Sequence, residues 1–98
     1  MARKVTWSIK AVLDRYQIYK FWVYNNQSET YGKKLELLFE EAANLLAMFP
    51  EVGTKTDIGG VRVKVVRSYK IFYRVLADGV VILRVWDTRQ NPVELKIN

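Results

Sequence analysis

The 98-residue sequence contains no cysteine and no histidine. The first absence excludes disulfides, thiol nucleophiles and thiolate metal sites. The second removes the side chain that titrates nearest neutral pH and the commonest metal ligand, which leaves acid–base chemistry to a few carboxylates. Acidic residues are the scarcer charge, 10 against 16 Lys and Arg, and the net charge of +6 favours an anionic partner. No apolar run approaches the roughly 18 residues that span a bilayer. The opening MARKVTWSIK lacks the apolar core of a signal peptide. A soluble, cytoplasmic protein with no cofactor, no metal and no membrane contact is expected.

Half of the residues are apolar and 27% are charged, a balance that suits one compact domain over residues 1–98. Lys4 to Trp7 alternate as a short edge strand would. Ser8 is placed to cap a helix from Ile9 to Tyr24, with Val12, Tyr16, Tyr19 and Val23 as its apolar stripe. The polar pair Asn25-Asn26 makes a tight connection. Ser28 then caps a second helix, whose stripe is Tyr31, Leu35, Leu38, Phe39, Ala42, Leu45, Leu46 and Phe49, and Pro50 stops it. The glycine-rich EVGTKTDIGG reads as a loop. Three strands come next, from Val61 to Val66, Tyr69 to Leu76 and Val80 to Trp86. The last two are joined by a two-residue hairpin whose Asp78 and Gly79 take positive φ. The expected fold is α+β, a two-helix antiparallel hairpin on one face of a small, mostly antiparallel four-stranded sheet in the order β-α-α-β-β-β.

A two-residue hairpin pairs Ala77 with Val80 and sets which side chains share a face. Ile71, Tyr73 and Val75 then lie inward with Ile82, Arg84 and Trp86. Lys70, Phe72, Arg74 and Leu76 lie outward with Val81, Leu83, Val85 and Asp87, and Lys70 stands opposite Asp87. With Val61, Val63 and Val65 inward, Arg62 and Lys64 join Lys70 and Arg74 on the outer face. That arrangement needs an odd-length turn near Ser68, and a slip of one residue reverses it. Arg67 and Arg89 stand at the rim. A basic face of this kind suits anion binding, and the same alternation also suits a solvated surface.

The order of these signals resembles the RelE/ParE superfamily of type II toxin–antitoxin toxins over nearly the whole chain. The residues that carry the resemblance are the first strand, the helical hairpin with its YNNQS connection, LLAMFPEVG, VRVKVVRSYKIFYRV, the DG turn and ILRVWDTRQNP. The resemblance implies a growth-inhibiting, plasmid-stabilising type of toxin held inactive by a cognate antitoxin. Its target would be DNA gyrase, as for ParE-like members, or messenger RNA in the ribosome, as for RelE-like members.

The two targets ask for different chemistry. RNA cleavage through the 2′-hydroxyl needs a base, an acid and cations for the phosphorane charge. The resemblance implies cationic roles for Arg62, Lys64, Lys70 and Arg89, and it puts Asp87 where many of the nucleases carry an acid–base group. The C-terminal tyrosine of some nucleases has no counterpart, because no aromatic residue follows Trp86. An ion pair at the strand end is the favoured alternative role for Asp87, and packing is the favoured role for Trp86. A target-binding surface of Arg62, Lys64, Arg67, Lys70, Arg74, Trp86 and Arg89 needs no proton transfer. Gyrase poisoning is therefore the leading expectation, RNA cleavage the alternative, and an inactive nucleic-acid-binding homologue the second alternative. Tyr19, Trp22 and Tyr31 are candidates for an apolar groove facing the antitoxin, with core packing expected of most of them.

Overall fold

A computed structural model describes residues 3–90, 95 and 97. The chain runs through β1 (Lys4–Trp7), α1 (Ile9–Lys20), a π-helical turn (Phe21–Asn25), α2 (Glu29–Met48), β2 (Thr54–Lys55), β3 (Val61–Val66), β4 (Tyr69–Val75) and β5 (Gly79–Asp87). The sheet order is β1-β5-β4-β3-β2, with β1 parallel to β5 and every other neighbour antiparallel. This is the expected helical hairpin on a mostly antiparallel sheet, with five strands in place of four. The extra strand lies in the glycine-rich segment read as a loop, where Thr54 and Lys55 pair with Val63 and Arg62.

Both expected helix caps form. Ser8 Oγ accepts from the Ala11 N–H and Ser28 Oγ from the Tyr31 N–H, which satisfies donors that a helix start leaves without partners. α2 buries Leu35, Phe39, Ala42 and Leu46, the centre of its expected stripe. Phe49 is exposed, because the chain has already left helical geometry at that residue.

α1 departs further from expectation. It buries Ala11 and Ile18, keeps Asp14 and Arg15 half-buried beside them, and leaves Val12, Leu13 and Tyr16 exposed. Polar pairing explains the inversion. The Arg15 guanidinium lies 4.3 Å from the centre of the Trp7 ring and bridges Glu36 and Glu40 of α2 at 2.9 and 2.8 Å. Asp14 is bound to β5. The helix is thus seated by ion pairs at its middle and by Tyr19 and Val23 against Gly32 of α2 at its end.

The sheet register corrects the expected faces. The β4–β5 pairing begins at Val75 opposite Val80, and the three residues Leu76 to Asp78 connect the strands, with the Leu76 N–H donating to the Gly79 carbonyl. Among the described residues, positive φ occurs at Gln27, Arg67 and Gly60, and not at Asp78 or Gly79. Gly79 is required for another reason: a Cβ there would lie 2.8 Å from the Lys4 carbonyl oxygen of β1. The turn between β3 and β4 has two residues, Arg67 and Ser68, with Val66 opposite Tyr69. That even length puts Arg62 and Lys64 on the helix side with Tyr73 and Ile71, and turns Val61, Val63 and Val65 outward with Arg74, Phe72 and Lys70.

A β-bulge completes the change. Tyr73 faces Ile82 and Phe72 faces Arg84, so Leu83 is the extra residue on β5. Beyond it the alternation of β5 flips. Val85 and Asp87 join the helix side opposite Ile71 and Tyr69, while Trp86 pairs with Lys70. The core is the helix-side layer of Tyr69, Ile71, Tyr73, Val80, Ile82 and Val85 under Ala11, Ile18, Leu35, Phe39 and Leu46. Val61, Trp86 and Ile97 are buried apart from it.

Candidate functional site

The expected continuous basic face does not form. Arg62 is on the helix side, where its guanidinium donates to the carbonyls of Glu51 and Gly53 and fastens the loop after α2. Tyr73 fastens the same loop, its hydroxyl donating to the Pro50 carbonyl and accepting the Gly53 N–H, both at 2.8 Å. Arg74 is outward and donates to the Gly59 carbonyl at 3.0 Å. Lys64 lies on the helix side, Lys70 is exposed on the outer face, and Arg67 is exposed in the β3–β4 turn. The five side chains therefore occupy two faces and a turn. Asn91-Pro92, a dipeptide whose chemistry favours a turn after Arg89, lies outside the described residues.

What the fold does build is a groove of about 630 Å³ between the end of α1, the π-helical turn and the last third of β5. Three features of the sequence create it. β1 ends at Trp7, opposite Ile82, which leaves the β5 edge beyond it to α1. The bulge at Leu83 then re-aims the strand. Finally, the wide turn Phe21–Asn25 presents Phe21, Tyr24 and Asn25 to the groove while Trp22 packs inward. π-helical turns of this kind occur frequently at functional sites.

At one wall, Asp14 closes the strand edge. Its carboxylate accepts from Arg84 Nε at 2.8 Å, Arg84 Nη2 at 3.0 Å and the Val85 N–H at 2.9 Å. At the other wall, Asp87 and Arg89 form a bidentate pair at 2.9 and 2.7 Å, and the Arg89 guanidinium lies over the Phe21 and Trp22 rings. The partner of Asp87 is thus Arg89 and not Lys70, because the bulge carries Asp87 to the opposite face. Trp22 Nε1 donates to the Tyr69 hydroxyl at 2.8 Å, and its ring meets Tyr31 edge-on at 4.4 Å. Trp86 lines the groove but is buried, and its Nε1 has no partner among the described residues.

The electrostatics arise from these pairs. Hydrogen bonds from Arg89 hold the Asp87 carboxyl below the usual carboxylate range, against a smaller upward push from burial. Burial raises the Tyr69 and Tyr73 hydroxyls. Because the folded-state pKa of Asp87 lies below its unfolded value of about 3.9, its contribution is complete above that value and is lost as pH falls through the folded one. Asp87→Asn should therefore flatten the acid limb of the stability–pH curve below about pH 4 and leave the region around pH 7 without a new slope. An unchanged acid limb in urea titrations would show that the pair does not persist in solution.

Asp14, Arg84 and Tyr69 are not marked as site residues by the sequence. A signal is present in the placement of Asp14 among apolar neighbours on α1, but its partner depends on a bulge with no local marker. Among the described residues no group of His, Cys, Asp and Glu is arranged to hold a metal ion. No described helix is long and apolar enough to cross a membrane.

Comparison with known proteins accords with this architecture. No curated sequence matches the chain. Its structure is similar to one described as the chromosomal ParDE toxin–antitoxin system from P. aeruginosa, with a TM-score of 0.78 and 21% identity over 90% of this chain and 98% of that one. It is also similar to one from the RelBE2 toxin–antitoxin complex of Mycobacterium tuberculosis, with a TM-score of 0.66 and 22% identity over 89% and 99% of the two chains. At such identities these likenesses establish the fold. The family model described as "ParE toxin of type II toxin-antitoxin system, parDE" matches residues 5–92. The chain therefore belongs to the ParE toxin family of type II toxin–antitoxin systems.

Proposed function

We propose that this protein arrests growth by poisoning DNA gyrase and that a cognate antitoxin neutralises it. The observation that supports the choice of target is the bidentate pairing of Asp87 with Arg89 and the burial of Tyr69 and Tyr73. Cleavage of RNA at neutral pH calls for a base and an acid whose pKa values lie near the working pH. Asp87 is held low by Arg89 and has no proton to give, while Tyr69 and Tyr73 are buried and raised. Four of the arginines are also engaged within the fold: Arg62 and Arg74 by loop carbonyls, Arg84 by Asp14 and Arg89 by Asp87. A shaped groove with paired charges supports recognition of a folded protein better than stabilisation of a phosphorane.

Induction of the chain without its neighbouring gene is expected to stop growth, with double-stranded DNA breaks and intact messages. Normal growth at confirmed expression would remove the toxin reading. Codon-positioned cuts in primer extension would replace gyrase by the alternative, a ribosome-dependent mRNA endoribonuclease. Salt-sensitive binding to nucleic acid without growth arrest would favour the inactive homologue.

A further inference from the structure

The β3–β4 hairpin is charged with one sign only. From Val61 to Val75 it holds five cations, Arg62, Lys64, Arg67, Lys70 and Arg74, and no acid. Arg62 and Arg74 are engaged by loop carbonyls. The other three gather at the turn, with Arg67 in it and Lys64 and Lys70 on the strands to either side. Arg67 and Lys70 are exposed and make no hydrogen bond or ion pair among the described residues. Lys64 reaches only the neighbouring Val65 carbonyl, at 3.5 Å. Asp87, which the register sets opposite Tyr69 at this end of the sheet, is taken up by Arg89.

The backbone adds a second observation. Arg67 takes φ = 56°, a left-handed conformation that glycine adopts without strain and an arginine does not. It alone of the arginines has no partner among the described residues. Backbone strain of this kind clusters where a side chain is held for a ligand. The turn is nonetheless fixed, since the Ser68 carbonyl accepts the Thr88 N–H at 2.9 Å. A fixed turn that presents an unpaired arginine between two lysines suits an anion outside the molecule.

Two features select the anion. Lys64 lies on the helix side and Lys70 on the outer side, so the charges match phosphates spread along a backbone better than one small ion. The rings nearest the turn are withdrawn from solvent, Tyr69 at 1% exposure and Trp86 at 9%. Single strands are gripped through bases stacked on exposed rings, whereas a duplex hides its bases and offers its phosphates.

We infer that the β3–β4 turn, through Arg67 with Lys64 and Lys70, is a binding site for the phosphate backbone of duplex DNA. This rests on the gyrase reading above and deepens it. A gyrase poison acts on an enzyme that holds duplex DNA, and this turn adds a grip on that DNA to contacts with protein.

The test follows the anisotropy of a short labelled DNA duplex titrated with the full purified chain at several salt concentrations. Three phosphate contacts predict a slope of about −2.7 in log K against log salt. Arg67→Gln and Lys70→Gln should each reduce its size by about 0.9. Lys4→Gln removes the same charge at the far end of the sheet, opposite Gly79, and should leave the slope unchanged. Arg67→Gly suits the positive φ, so a melt close to that of the wild type with the same loss of slope separates binding from folding. No binding by the folded wild type at low salt, or slopes unaltered in both glutamine variants, would overturn the site. Gyrase poisoning, read by DNA cleavage, would still stand. An equal loss in Lys4→Gln would assign binding to net charge and overturn the site as well. Tighter binding to a single RNA strand of the same length would overturn duplex recognition. The expected slopes without gyrase-dependent cleavage would keep the site and remove the gyrase reading.

Discussion

Asp14→Ala is expected to lower folding stability by about 3 kcal/mol, since in this half-buried site it removes three hydrogen bonds to a charged group, each worth about 1.5–3 kcal/mol at most. The Asp14 and Arg84 side chains are only 17% and 15% exposed, and the carboxylate accepts three hydrogen bonds. Its loss removes two charge-assisted hydrogen bonds from Arg84 and leaves the Val85 N–H at the strand edge without its acceptor. An unsatisfied backbone donor alone costs about 1–3 kcal/mol. For a domain of this size the melting temperature should fall by roughly 12 °C or more. Arg84→Met in the Asp14→Ala background should recover part of the loss, since the half-buried charge that Asp14 balanced is then gone. A fall of less than about 3 °C in the single variant would mean that the pair is solvated and that α1 is seated by other contacts.

Trp22→Ala is expected to have a similar effect, about 3 kcal/mol, the range for truncating a packed aromatic residue. Trp22 connects the π-helical turn to the core through edge-on contacts with Phe21 and Tyr31 and a hydrogen bond to Tyr69. It also lies under Arg89. Removing it leaves the buried Tyr69 hydroxyl without its donor and the wall of the groove without its anchor. Trp22→Phe separates the two contributions. It should retain most of the packing and lose about 1 kcal/mol, the net worth of one hydrogen bond. Equal losses in both variants would place the whole effect in the indole N–H.

The sequence and the structure agree where local rules decide the outcome. Ser8, Ser28 and Pro50 mark helix ends because capping and proline sterics act within a few residues. The centre of α2 follows its period because Leu35, Phe39, Ala42 and Leu46 face one continuous core. Agreement ends where a single residue changes parity. The two-residue turn at Arg67-Ser68 and the bulge at Leu83 each shift a strand by one place, and nothing within a strand of alternating valines marks either. Those two shifts place Arg62, Lys64 and Asp87 on the helix side and Trp86 away from it. The inversion of α1 is hidden for another reason. Its apolar residues keep helical spacing, but the partners of Asp14 and Arg15 lie 70 and 21 residues away.

The same shifts bear on function. A face gathering Arg62, Lys64, Lys70 and Arg74 would have suited a polyanion. The folded chain instead divides those residues, leaves Lys64 and Lys70 beside the β3–β4 turn, and offers a groove of paired charges suited to a protein partner.

The most direct measurement is a DNA cleavage assay with purified gyrase, supercoiled plasmid and the purified chain. Gyrase poisoning predicts linear DNA, formed only when gyrase is present and suppressed by the product of the adjacent reading frame. Unchanged supercoiling with no linear product at a large excess of the folded chain would contradict it.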